Sequence, residues 1–184
     1  MNSKYVALIT AIFFISCYTG YIWAEENYEV ARDYFEKFFS ELSFIRDLPS
    51  YAIFAIIFLN NSVKAFLAMI SGFLFGIIPI LFIFINGYVI GMIVYVKGVE
   101  LGFDRTLIML IPHGITEISA IIIACSYGVW LGISLYDRIR GGEVDLGLCL
   151  RKAVRTYIKV VIPLLLISAF IETYITPLIS ALLI

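Results

Sequence analysis

Thr106 to Tyr136, bounded by Arg105 and Asp137, is an apolar run whose one formal charge is Glu117. Few folds are open to such a stretch: it belongs in a lipid bilayer, and a carboxylate inside it is expensive. The chain's single histidine, His113, lies four residues before Glu117, so on a helix the two share a face. Pro112 and Gly114 flank that histidine. As one helix the run would be roughly 46 Å long at 1.5 Å per residue, against a hydrocarbon thickness of ~30 Å. Either it tilts and emerges, or Pro112 and Gly114 break it into a half-helix and a full span, the kind of discontinuity that builds sites near the midplane.

Composition extends this reading to the whole chain. Of 184 residues 62% are hydrophobic and 15% charged, with mean hydropathy +1.01, well above the roughly 45–50% apolar content of soluble domains. The expectation is one integral membrane domain, an all-α polytopic helix bundle of about five spans with broken helices and an external amphipathic helix. A net charge of −1 gives no sign of nucleic-acid binding. Cys17, Cys125 and Cys149 form no CxxC and no Cys/His cluster, and read as small hydrophobes.

The spans fall at about residues 5–24, 50–70, 77–97, 106–136 and 160–183. The first competes with a cleaved signal peptide, but its apolar stretch is too long and its end, Tyr21-Ile22-Trp23-Ala24, too bulky, so a retained span is expected. Residues 25–47 alternate charges with Ala31, Tyr34, Phe35, Phe38, Phe39, Leu42 and Ile45 at three-and-four spacing, an amphipathic helix on the membrane surface or capping the bundle. From Leu48 to Val96 the only charge is Lys64. That stretch holds two spans and an apolar turn around Ser71, Gly72, Gly76 and Pro79, tucked into protein. Asp145 is placed to cap a helix starting near Leu146.

Gly72-xxx-Gly76, Gly87-xxx-Gly91 and Gly128-xxx-Gly132 permit close helix contact, internally or in a homodimer. Arg138, Arg140, Arg151, Lys152, Arg155 and Lys159 make 137–159 a basic loop, expected in the cytoplasm. Five spans then put the N-terminus inside, with 25–47 and the C-terminus outside, in a multi-pass protein of the plasma membrane. The expected partners are the lipid bilayer and other membrane proteins.

The groups placed within the bilayer are Asn60, Asn61, Lys64, Asn86, His113, Glu117 and Glu172. Intramembrane charges rarely face lipid, so they are expected to face one another. Lys64 can neutralise one carboxylate. The other must be protonated, paired with a charged His113, or bound to a cation.

The steps Phe58-Leu59-Asn60-Asn61, Asn86-Gly87 with Gly91, His113-Gly114-Ile115-Thr116-Glu117, and Phe170-Ile171-Glu172 with Thr176-Pro177 resemble the stage II sporulation protein M family over about residues 50–180. The HGxxE step inside a long apolar run is the most specific part. The resemblance implies a small integral membrane protein of a kind widespread in bacteria and archaea. It also implies a part in a membrane complex that supports remodelling of the cell envelope without itself hydrolysing the wall. By that resemblance His113 and Glu117 match the HGxxE motif, Asn60 and Asn61 the paired asparagines and Glu172 the last-helix acid. The many isoleucines look like a short prokaryotic, archaeal-type member.

Two function classes stand: a scaffold in a cell-envelope complex, and a transporter or channel for a small ion or polar solute. An enzyme is not expected. One histidine without nearby cysteine is a poor zinc site, because catalytic zinc takes three protein ligands. No catalytic-triad order, P-loop or dinucleotide fingerprint occurs. No cofactor or metal is expected.

Overall fold

The computed structural model describes residues 3–41 and 48–183, and all of its elements are helical. In chain order these are α1 (Ser3–Glu26), α2 (Tyr28–Glu41), α3 (Ser50–Ile70) with a 3₁₀ turn at Ser71–Phe73, α4 (Ile77–Leu101), α5 (Phe103–Ile139), α6 (Leu146–Thr156), α7 (Ile162–Phe170) and α8 (Thr176–Leu183). π turns at Tyr157–Val161 and Ile171–Ile175 join α6, α7 and α8 into one rod. Five helices, the rod counted once, are long and apolar enough to cross a membrane. Their outer faces carry large bare hydrophobics such as Phe14, Ile15, Tyr18, Ile85 and Leu182, more than a water-soluble surface exposes.

The helices outrun the apolar runs that announce them. α4 and α5 leave only Gly102 between them, at φ 97°, a left-handed value that glycine adopts without strain. Of the two readings open for 106–136 the structure takes the unbroken one: α5 continues through Pro112. The irregular turns lie instead in the last rod. Each π turn ends two residues before a proline, Pro163 or Pro177. A proline ring crowds the carbonyl four residues back, and widening the preceding turn relieves the crowding. The amphipathic segment is α2 after a one-residue interruption at Asn27. The part of that expectation on Leu42–Asp47 lies outside the described residues.

α5 is the axis of the bundle. In its most apolar window 61% of residues are buried inside the protein, against 17–28% in the other four spans. Ala120, Ala124, Tyr127 and Leu131 pack toward α3 and the last rod. Ile121, Cys125 and Val129 pack toward α1 and α4. A third cluster docks α2: Ala31 and Phe35 lie against Ala24, Met92 and Val96. Phe13 and Ser16 of α1 meet Gly87 of α4, and Cys17 meets Gly91, while Tyr21 meets Tyr95 edge-on. Contacts advance in the same sense along both chains, so α1 and α4 run parallel. The N-terminus, the 71–76 turn and the 140–145 turn therefore share one end of the bundle; α2 and the Gly102 corner share the other.

The 71–76 turn is only half tucked in: Gly72 and Gly76 are buried, whereas Leu74 and Phe75 stand exposed. Phe75 (φ 55°) and Gly76 (φ 76°) reverse the chain in left-handed backbone. Gly72 and Gly76 press on α5: a Cβ on Gly72 would run into the Gly128 backbone, and one on Gly132 into the backbones of Gly72 and Gly76. All three Gly-xxx-Gly pairs are thus used for contact inside the chain. The Asp145 carboxylate accepts the Leu148 N–H at 2.9 Å and caps α6.

Candidate functional site

The polar residues singled out in the spans reach the centre from four helices: Asn60, Asn61 and Lys64 from α3, Asn86 from α4, His113 and Glu117 from α5, and Glu172 from the last rod. Counting 1.5 Å per residue from the α2-bearing end places Asn60, Lys64, Asn86, His113, Glu117 and Glu172 all at a depth of about 15–22 Å. They line two cavities that share a wall. The first, of about 460 Å³, is bounded by Asn60, Asn61, Lys64, Glu117 and Glu172, with Ile56, Ile57 and Phe38 as apolar sides. The second, of about 410 Å³, is bounded by Lys64, Asn86, His113, Gly114 and Glu117 among apolar residues of α1, α4 and α5. Both volumes are in the range of small-ligand sites. Lys64 and Glu117 belong to both. All seven sequence-predicted residues therefore line one or both of these cavities.

A third cavity, of about 430 Å³, continues from Lys64 past Leu67 and Phe82 to Ser71 and Ile78. It follows the crevice between α3 and α4, which touch only sparingly. Lys64 thus borders all three cavities.

Local geometry fixes some of these groups and leaves others free. The Asn86 amide donates to the Phe82 carbonyl at 2.7 Å, and that of Asn60 to the Asn61 side chain at 3.3 Å. The His113 carbonyl accepts the Thr116 hydroxyl at 2.9 Å and the buried Ser168 hydroxyl at 3.1 Å. Its ring Nδ1 lies 3.4 Å from the Thr176 hydroxyl. The HGxxE step is thereby stitched to the last rod. Glu172 sits within the π turn, so the same widening that accommodates Pro177 sets where its carboxylate points. Among the described residues the ion pairs are all outside the centre: Arg32 with Glu36 at 2.8 Å and with Glu100 at 3.9 Å, and Lys97 with Glu100 at 2.6 Å. The hydrogen bond to Glu36 raises the Arg32 pKa further above its ordinary value. Lys64, Glu117 and Glu172 make no ion pair within 4 Å there. No group of three His, Cys, Asp or Glu suited to a metal occurs among the described residues.

Phe38 and Ser168 were not legible as site residues, and Thr176 stood in the Thr176-Pro177 step with no role attached. Phe38 is separated from the rest in sequence, and hydroxyl-to-carbonyl stitching has no pattern of its own. Pro163 and Pro177 were the visible signal for the two π turns.

Fold and site together define a polytopic helical membrane protein with an open polar centre between its spans. The chain belongs to the stage II sporulation protein M family, whose model matches residues 9–177 and so takes in the first span as well. It is 24% identical over 173 residues to an uncharacterized protein of Methanocaldococcus jannaschii, a match covering 91% of this chain and 75% of that one. No solved structure matches.

Proposed function

We propose that this protein carries a small ion or polar solute along a route centred on Lys64 and Glu117, in the plasma membrane with its basic end in the cytoplasm. One observation carries the reading: four spans bring two carboxylates, an ammonium, an imidazole and three amides to one depth, where they line cavities rather than neutralise one another. Interhelical hydrogen bonds in membranes contribute only about 0.6–2 kcal/mol each. As structural glue the centre would be a poor return for burying two acids, and glue would close its hydrogen bonds. Intramembrane ionisable groups mark pathways by default. The basic residues of α6 and its flanks support the orientation.

The test is flux in reconstituted liposomes. Tracer movement is expected in the wild type and is expected to be abolished in Glu117→Gln. Absence of flux for protons, alkali cations and small anions would overturn the reading.

A second reading is favoured by family membership: a component of a cell-envelope membrane complex. The exposed cations Arg151, Lys152 and Arg155 on α6 offer partners a surface. In that case the Glu117→Gln/Glu172→Gln double variant keeps its assembly and its partners although the centre has lost its charge.

A further inference from the structure

The first cavity has a composition that selects among ligands. Its polar lining is Asn60, Asn61, Lys64, Glu117 and Glu172. Every acceptor in it is a hard oxygen, from carboxylate or amide. The thiols lie elsewhere: Cys125 and Cys17 in the α1–α4–α5 packing, and Cys149 against the core formed by α3, α5 and α6. Oxygen-only donor sets suit alkali and alkaline-earth cations and do not suit soft metals.

Charge then decides between one and two positive charges. Two carboxylates face one ammonium, and none of the three is within 4 Å of an opposite charge among the described residues. The space between them is open. Lys64 also lines the neighbouring cavity, as does Glu117. Its ammonium can therefore serve Glu117 from the Asn86–His113 side. An ionised Glu172 is then left with two amides and one uncompensated negative charge. A monovalent cation cancels that charge, whereas a divalent one leaves an excess positive charge in a low-dielectric interior.

We infer that the cavity between α3, α5 and the Ile171–Ile175 turn is a monovalent alkali-cation site built from Glu172, Glu117, Asn60 and Asn61, with the Lys64 ammonium as its built-in competitor. When the ammonium lies toward Glu172 the site is closed. When it lies toward Asn86 and His113 the site is open. The inference deepens the reading of the centre as a place where a solute binds, and names the class of solute.

The experiment is equilibrium binding of radioactive sodium to the purified full chain in nanodiscs, with N-methyl-D-glucamine holding ionic strength constant. Saturable binding is expected in the wild type. It should be lost in Glu172→Gln and tightened on the order of tenfold, about 1.4 kcal/mol, in Lys64→Gln. Helicity and monodispersity check that each variant is folded. If Glu172→Gln does not fold, Asn60→Leu takes its place, at an exposed position of α3, and should weaken binding at least as clearly. No saturable binding in the folded wild type overturns the site, as does binding indifferent to Glu172→Gln or Asn60→Leu. Binding indifferent to Lys64→Gln overturns the competitor. Binding without flux in liposomes sinks the transport reading and leaves the site standing. Flux without sodium binding does the reverse.

Discussion

α4 packs on α5 along its inner side, and it treats two of its other neighbours, α1 and α3, in opposite ways. Toward α1 it is welded. Gly20 of α1 and Gly87 and Gly91 of α4 bring the backbones so close that a Cβ on any of them would run into the partner helix, at Tyr88, Ser16 or Cys17. Toward α3 it barely meets its neighbour, and the crevice between them is where Lys64 lies exposed. Both regions are apolar, and both would look alike on a hydropathy plot. The difference is the residue that sits at the contact. Glycine gives dispersion contact over many atoms, the main helix-to-helix attraction available in lipid. On the other side Lys64 and Asn86 line the space between the helices with polar groups. The weld sets the frame, and the crevice is free to be the working part.

The sharpest way to break this contrast is one substitution on each side. Gly91→Val drives two methyl groups into the Cys17 carbonyl. It is expected to cost more than the roughly 1–3 kcal/mol typical of overpacking, because the atom in the way is backbone and cannot rotate aside. Folded yield and the detergent unfolding midpoint should collapse. Lys64→Met, in the crevice, is expected to leave both nearly unchanged while ending flux. If Gly91→Val folds normally, the weld is not the frame.

A weaker perturbation acts through the last rod. Pro177→Ala removes the ring that crowds the carbonyl of Thr173 and lets the Ile171–Ile175 turn tighten toward α-helix. Total helicity should hold or rise. The Glu172 carboxylate should swing away from the cavity that it shares with Asn60 and Lys64, with loss of flux at full protein yield. Intact flux in this variant would mean that the π turn does not position Glu172. Smaller again is the pair Ser168→Ala and Thr176→Val. Each removes one hydroxyl from His113 and leaves the helices packed, so a drop in flux is expected without a change in the unfolding midpoint.

These cases also show what a sequence can and cannot display. The five spans were legible because water exclusion acts on residue type, and long apolar runs have one solution. The seven polar residues were legible because charge and amide groups at that depth need neighbours. The assignment of Pro112 was open because a proline in a membrane helix sometimes kinks it and sometimes does not. Here α5 runs on as helix through Pro112, in a stretch where few of its residues are buried. Pro163 and Pro177 distort their helix and Pro112 does not, and nothing in the local sequence separates the three. Equally hidden was which Gly-xxx-Gly pair meets which. Gly72 and Gly76 find Gly128 and Gly132 across a long loop of sequence, an encounter fixed by the shape of the whole bundle. Phe38 reaches the site only because Ala31 and Phe35 dock α2 on α1 and α4, and amphipathic spacing cannot state against what a helix lies.

The smallest effect is expected at the far end from α2, and it tests whether the frame extends beyond the membrane. Asp145 accepts the Leu148 N–H at 2.9 Å and starts the helix that leads, through Tyr157, into the last span. Tyr157 in turn donates to the Ser62 carbonyl of α3, and Thr156 to the Tyr127 hydroxyl of α5 at 2.9 Å. Removing the cap by Asp145→Ala should cost about 1 kcal/mol. Because these two hydrogen bonds and the buried Ala153 and Val161 pin the rod independently of its first turn, the loss should be confined to fraying of α6. Hydrogen exchange is expected to rise at Leu148 to Leu150 and to stay unchanged from Thr156 onward, with sodium binding at the centre unaltered. Exchange that spreads past Tyr157, or a shift in binding, would show that α6 and the crevice move as one body, and the division between frame and working part would have to be redrawn to put the last rod with the crevice.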